Sequence, residues 1–405
     1  MRFLLVPGNN SLSHLAKCLA LESSLTSRGH RVVVAVSRGR VGSVEGRGVD
    51  YRVLPDIQES DDAGFPTVAW FKRPKRIAEC ISSEVDLMNE IRPDRVLGVF
   101  RFTLKASARI AGVPFDSLTC GCMLSGFPEV LGFAPGESGS ELQRYYLDSF
   151  YRYAGAKTSL ALRMFGLPPI GDIRSMLEGD RTFLWDFPEF APLPDRTTAT
   201  HVGPVYWNGW HDAGPGPNRV PVGERPLALV TFGTCMMSVE VATRIMRILV
   251  DLGFEVLLAA GGQNDLMKVM PNEPFVTSCR FAPLHSLFRR ASLTVCHGGQ
   301  LTIFEALSHR VPVLIMPFQP EQAHNAVCLK RLGCGDKLVP AQSFRGNPEV
   351  YLEALRRRDD REIKSVIRNL VEDPRTGERL TAVREILGKY DGTASLTSLI
   401  GSDRA

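Results

Sequence analysis

The chain repeats one pattern: a short apolar run, a turn of small or polar residues, then apolar positions three and four apart. This rhythm predicts strand, loop and helix in alternation, and so parallel sheets with helices on their faces. In residues 1–36, Phe3–Val6 reads as a strand, Gly8-Asn9-Asn10-Ser11 as a loop, and Ser13 to about Ser27 as a helix. Leu15, Cys18, Leu19, Leu21 and Leu25 form the buried face of that helix, and Val32–Val36 is the next strand. Residues 91–119 repeat the unit, and Arg181–Asp186 gives a short further strand. Between them lie a Gly/Pro-containing loop, Cys120–Gly139, and two aromatic helical segments, Glu141–Ala154 and Ser159–Phe165.

From Tyr206 to Arg225 the periodicity stops. Four Gly, three Pro and two Trp mark a linker and hinge. The rhythm resumes with Leu227–Val230, a helix Val239–Leu249, and strands Phe254–Ala259 and Phe275–Phe281. The most regular unit follows: Leu293–Val295, a turn His297-Gly298-Gly299, a helix from Thr302 to about His309, and a strand Val311–Met316 ending at Pro317. Val327–Leu332 reads as another helix, and Glu349–Arg357, Arg361–Leu370 and Arg379–Leu387 as charged amphipathic ones.

Composition narrows the class. At 405 residues each half can bury its own core. Hydrophobic residues make up 44% and charged residues 23%, as in an ordinary globular protein, and a net charge of +4 does not argue for nucleic acid. The apolar run after Met1 is too short for a signal peptide, and no run approaches a membrane span. Nine cysteines lack zinc-type spacing, Cys120-x-Cys122 being the closest pair; free thiols in a reduced cytoplasm are expected.

The chemistry concentrates in Cys296–Ala326. Two glycines let the backbone approach a ligand with N–H groups exposed. The helix that follows aims its positive end at the same place, which suits an anion. His297, Gln300 and the Thr302 hydroxyl add polar groups, and Glu305 lies one turn further along, where a carboxylate can accept from vicinal hydroxyls. Phosphate beside a diol suggests a nucleotide. The next loop, Pro317–Asn325, brings a carboxylate, three amides and His324 to the end of a strand, a polar fork suited to sugar hydroxyls.

The stretch resembles the donor-binding signature of family 1 glycosyltransferases and their bacterial relatives acting on antibiotics and lipids. His297, Gly299, Thr302, Glu305, Pro312, Pro317, Glu321, Gln322 and Asn325 fall at the family's spacing over 29 residues without a gap. The resemblance implies an α/β protein of GT-B fold, with two doubly wound, Rossmann-like parallel-sheet domains facing across a cleft. It implies an acceptor domain over residues 1–205, a linker over 206–225, a nucleotide-sugar domain over 226–375, and a C-terminal helix over 376–405 returning to the first domain. It further implies transfer of a hexose from a UDP- or dTDP-sugar, with inversion and without a metal or other cofactor. No Asp-x-Asp pair stands where a diphosphate would need one.

By that carry-over His297, with Gly298, Gly299, Gln300 and Thr302, holds the diphosphate, Glu305 the ribose, and Glu321 with Gln322 the hexose. Thr234, after the strand that opens the second half, faces the diphosphate, and Phe281 with Ala282 meets the nucleobase. His14, at the start of the first helix, is the general base. Tyr145, Tyr146, Phe150 and Tyr151 are candidates to wall an apolar acceptor pocket.

Several positions depart from the family, among them Ser13 for the usual Gly before His14 and Leu284 for the Gln of many plant members. Leu301 stands for a Gly, and Arg310 for the Gly that ends the helix, where a left-handed residue would cost on the order of 1 kcal/mol. Val99 stands for the aspartate that orients the histidine base, and valine cannot do that. His14 then works unaided on a fairly acidic acceptor, or Asp116 or Glu129 replaces the aspartate, or the chain binds nucleotide sugars without catalysis. Hydrolysis of a nucleotide sugar, with water on His14, is a further alternative. The expected partners are a nucleotide sugar and a small-molecule or lipid acceptor. Lys72, Arg73, Lys75 and Arg76, expected on one helix, offer a peripheral membrane contact; the oligomeric state is not legible.

Overall fold

The computed structural model describes residues 1–58, 67–193, 197–207, 209, 224–233, 235, 237–261, 263–270, 272–339 and 348–402. The chain forms two compact units. One comprises Met1–Pro128, Arg144–Trp207 and Tyr390–Ala405, the other Glu129–Gln143 and Asn208–Lys389. Most of the linker expected over 206–225, and Thr234, lie outside the described residues.

The first unit holds β1 (Arg2–Pro7), α1 (Leu12–Ser27), β2 (Arg31–Val36), β3 (Tyr51–Val53), α2 (Thr67–Phe71), α3 (Pro74–Ile91), β4 (Arg95–Val99), α4 (Leu104–Ala111), β5 (Phe115–Thr119), most of α5 (Ser140–Arg163), β6 (Arg181–Leu184) and β7 (Thr200–His201). Its strands are parallel in the order β3-β2-β1-β4-β5-β6-β7. The second unit holds β8 (Leu227–Thr231), α6 (Val239–Asp251), β9 (Glu255–Ala259), β10 (Val276–Cys279), α7 (Leu284–Phe288), β11 (Ala291–Cys296), α8 (Gln300–Ser308), β12 (Val313–Ile315), α9 (Pro320–Leu332), β13 (Gly335–Lys337), α10 (Pro348–Arg357), α11 (Asp360–Glu372) and α12 (Pro374–Leu387). Its parallel order is β10-β9-β8-β11-β12-β13. The last helix, α13 (Gly392–Gly401), packs on α1 within the first unit.

Helices cover both faces of such sheets, and the central strands are accordingly buried: β5, β8 and β9 are buried at every residue. In each sheet the strand order reverses once, between β1 and β4 and between β8 and β11. Ligands of open parallel sheets bind at the carboxyl ends of the strands flanking that reversal.

Two elements differ from the sequence reading. The basic segment is not one helix, since α2 stops at Phe71 and Arg73 is the N-cap of α3, with Pro74 in its first turn. Proline suits a first turn, where its missing N–H costs nothing. The aromatic segments are a single 24-residue helix, α5. Gly155 at its middle is no break: a Cβ there would lie 3.0 Å from the Gly171 carbonyl oxygen, so the glycine serves close packing.

Candidate functional site

In the second unit the loop after β11 is shaped by glycine. Gly298 has φ +98°, and a Cβ there would sit 2.9 Å from Ile315 Cγ2 and 3.1 Å from the Gln322 carbonyl oxygen. Gly299 is the N-cap of α8, and no side chain caps the helix. The first-turn N–H groups of α8 are thus left to a ligand, with the helix dipole behind them. The His297 ring packs against Gly233 and Gly299, and Gly261 packs backbone to backbone on Gly233. Burial pushes His297 down to about 4, the Thr231 carbonyl opposing. At neutral pH it is an uncharged hydrogen-bonding group.

Asn325, fully buried, ties the site together. Its Nδ2 donates to the Gly298 carbonyl at 2.8 Å and to Glu321 Oε1 at 2.9 Å, while its Oδ1 accepts from Gln300 Nε2 at 3.1 Å. Thr302 and Glu305 are partly exposed. Gln322 turns inward: its Oε1 accepts from the Phe318 N–H at 2.8 Å, and its Nε2 lies 3.7 Å from Cys235 Sγ. His324 is 1% exposed, with its Nε2 3.6 Å from Glu129 Oε2. It is therefore a buried packing group, not the sugar-binding group the sequence reading made it. Arg310 adopts the left-handed conformation at φ 60° that its place after α8 requires.

One neighbour of the site was missed. His285, in the first turn of α7, holds Glu305 Oε1 from its Nδ1 at 2.9 Å. Burial raises the Glu305 pKa, and the hydrogen bond and charge of His285 pull it back. Phe281, 54% exposed, and Ala282 lie just before α7, the helix that carries His285. The sequence signal was the short spacing from Phe281; the partner twenty residues away was invisible.

In the first unit His14 is 6% exposed in the first turn of α1, at the carboxyl end of β1. Its Nδ1 lies 3.2 Å from the Gly8 carbonyl oxygen, which can only accept; Nδ1 therefore carries the proton and Nε2 keeps its lone pair. Phe100 and Trp185 flank the ring at 5.1 and 5.7 Å. Burial and then Lys17 push His14 down to about 3, the Gly8 bond opposing and Arg40 adding to the drop. Lys17 Nζ lies 4.4 Å over the Trp185 ring. Gly8 has no room for a side chain against the Phe100 carbonyl and Gln58.

Val99, fully buried, ends β4, and its carbonyl accepts the Gly8 N–H at 2.8 Å. Each candidate carboxylate has a cationic partner of its own. Asp116 is buried between Arg95 at 3.0 Å and Arg181 at 2.7 Å, and Glu129 pairs with Arg331 at 3.0 Å in the second unit. Arg101 is likewise internal, pairing with Asp56 at 2.6 Å and Glu84 at 2.7 Å. Burial alone would lower its pKa, but the two carboxylates outweigh this and raise it. Asp56 also accepts from the Asn9 N–H at 2.7 Å, so this network braces the loop before α1. Tyr145 and Tyr146 are 63% and 51% exposed, and Tyr151 is buried beneath Arg174; Tyr145 and Tyr146 stand in solvent instead of walling a pocket.

Among the described residues no group of three or more His, Cys, Asp or Glu has the placement to hold a metal ion. No helix among them is long and apolar enough to cross a membrane.

Residues 237–344 match the family model of the glycosyltransferase family 28 C-terminal domain, a range that contains all of Cys296–Ala326. The chain is 28% identical over 285 residues to a PGL/p-HBAD biosynthesis glycosyltransferase of Mycobacterium tuberculosis (strain H37Ra), covering 65% of this chain and 63% of that protein. It is 26% identical over 352 residues to a PGL/p-HBAD biosynthesis rhamnosyltransferase of Mycobacterium bovis (strain BCG), covering 82% and 76%. The chain thus spans a little under two thirds of the length of the first of these relatives. Its structure superposes on the glycosyltransferase VinC, solved in complex with dTDP, with a TM-score of 0.68 at 15% identity, over 99% of this chain and 98% of that one.

Proposed function

From a chain that has the GT-B fold and carries a glycosyltransferase family 28 C-terminal domain, we infer an inverting, metal-independent glycosyltransferase. It moves a hexose from a UDP- or dTDP-sugar to a hydroxyl of a small-molecule or lipid acceptor. The observation that carries the reading is the uncapped start of α8 behind Gly298 and Gly299, with His297 against it and Glu305 one turn along. The diphosphate meets the N–H groups of α8, the Thr302 hydroxyl and neutral His297. Glu305, oriented by His285, takes the ribose hydroxyls, Phe281 the base, and Glu321 the hexose, with Gln322 shaping the loop beneath.

In the transfer step the acceptor oxygen attacks the anomeric carbon while the bond to the diphosphate breaks. The hydroxyl proton goes to His14 Nε2, and the departing negative charge is received by the helix terminus. One displacement inverts the anomeric centre. His14 has a neutral carbonyl partner where a carboxylate would strengthen it, and the cations Lys17 and Arg40 disfavour its protonation. A base so weak suits an acceptor hydroxyl that ionises more readily than an alkanol. When the acceptor is a lipid, Lys72, Arg73 and Lys75, all exposed, supply a peripheral contact with its membrane.

Calorimetric titration with UDP, dTDP and GDP tests the donor site. One nucleotide binds the wild type and is lost with His297→Ala, while His14→Ala retains binding and loses turnover; chelation by EDTA leaves turnover unchanged. Binding of none of the three removes the donor assignment. Val99 favours a second reading, a nucleotide-sugar binder or auxiliary protein without turnover; a hydrolase, with water on His14, is the further alternative. Product analysis separates them: glycosylated acceptor, no product, or free sugar.

A further inference from the structure

Helix α5 carries apolar bulk on the side that faces solvent. Its inner side packs in the ordinary way, with Tyr151, Ala154, Ala161 and Leu162 buried and the Phe150 ring 6.2 Å from Phe71. At about 100° per residue, Tyr146, Tyr153 and Leu160 share one outer arc, with Tyr145 on its edge and Met164 just past the helix end. These five are 51%, 37%, 46%, 63% and 64% exposed. Ser149 and Ala156 fill the rest of the arc, so it carries no carboxylate.

Cations border the arc. Arg152 and Arg163 lie along one edge and Lys157 along the other, with Lys157 Nζ 5.6 Å from the Tyr153 ring centre. From Arg144 to Arg163 the helix has four cations against one acid, Asp148. The Phe71–Phe150 contact sets the α2–α3 junction, with exposed Lys72, Arg73 and Lys75, beside α5. A helix meant for water turns its polar side outward. An apolar stripe with tyrosines, edged by long cations, suits a helix lying in a bilayer interface: rings and alkyl groups enter the headgroup region and the cations reach the phosphates.

We propose that this face of the first unit, the α5 stripe together with Lys72, Arg73 and Lys75, docks on an anionic phospholipid bilayer, lying in its interface without spanning it. The proposal rests on the membrane-contact part of the function above and not on transfer. Charge selects the bilayer over a second copy of the chain. Pairing two such stripes sets Arg152, Lys157 and Arg163 against like charges, with no acid on the arc to meet them.

The test is co-sedimentation of the full chain with vesicles of phosphatidylcholine alone, or of phosphatidylcholine with phosphatidylglycerol, at low and high salt. The chain pellets with the anionic vesicles only, and less at high salt. Tyr146→Ser, Tyr153→Ser and Leu160→Ser together reduce partitioning at least tenfold, and Arg152→Gln or Lys157→Gln each by about fivefold. Circular dichroism and nucleotide titration on the same samples keep folding and the donor site in view. If the triple variant misfolds, the two Gln variants decide alone. Failure to pellet with anionic vesicles overturns the proposal, as does unchanged partitioning of the folded variants. So does a dimer, in sedimentation equilibrium, that the triple variant dissolves, since a second copy then covers the stripe. Vesicle binding without nucleotide binding supports the docking surface and removes the transferase reading.

Discussion

At the scale of the residue, the proposed transfer turns on Val99 and His14. In the free enzyme His14 sits at about 3, so the base is uncharged across pH 5 to 8 and the acid limb of kcat/KM falls well below a histidine's ordinary 6.5. Val99→Asp restores a carboxylate at the end of β4, raises His14 and moves that limb toward pH 6. It should increase turnover of an alkanol acceptor by about tenfold to a hundredfold, as a base nearer the working pH does, while Val99→Asn should not. A wild-type limb at pH 6.5 would sink the assignment of His14 as a buried, unaided base. Val99 was legible as a departure because its neighbours kept the strand-loop pattern. The Gly8 carbonyl that takes the aspartate's place was not, since a backbone acceptor leaves no mark in a sequence. His285 escaped for a related reason: its meaning lies in Glu305, which another helix presents.

At the scale of the element, the loop between β11 and α8 was readable almost whole. Two glycines, a following 3.6-residue period and a preceding apolar run each reflect a local constraint, and local constraints are written in local sequence. Long-range ones are not, as Gln322 illustrates: it was expected to face the hexose and is held by Phe318 and Cys235. The same holds for α5, expected as two segments and found as one helix whose Gly155 packs against Gly171. The loop yields a sharp prediction. Gly298→Ala places a methyl group on Ile315 and Gln322 at a backbone angle that alanine tolerates poorly, so the N–H groups ahead of α8 shift. Nucleotide affinity should fall at least tenfold, with destabilisation of about 1–3 kcal/mol, read by titration and urea unfolding. Unchanged affinity would mean that the diphosphate does not sit at this loop.

At the scale of the molecule, both sheets reverse their strand order at one place, and the residues assigned to chemistry lie there: His14 and Phe100 after β1 and β4, Gly233 and His297 after β8 and β11. Each site is paid for in buried, uncharged histidine, which fixes how each unit responds to acid. The most strongly lowered are His14 in the first unit, at about 3, and His297 at about 4 and His324 at about 3 in the second; His30 in the first and His309 in the second are also lowered. Unfolded, each binds a proton below about pH 6.5. Between that value and the folded one the unfolded chain holds more protons, so stability falls as pH falls. The slope is about 1.4 kcal/mol per pH unit for each strongly lowered histidine, so with His297 and His324 against His14 the second unit is the more acid-sensitive. Urea unfolding at pH 7, 6 and 5, with the two units followed separately by hydrogen exchange, should show that difference. His324→Gln should remove about half of the histidine contribution in the second unit and leave the first untouched. An unchanged slope would mean that His324 takes up its proton while folded, and that the side of α9 facing Glu129 admits charge.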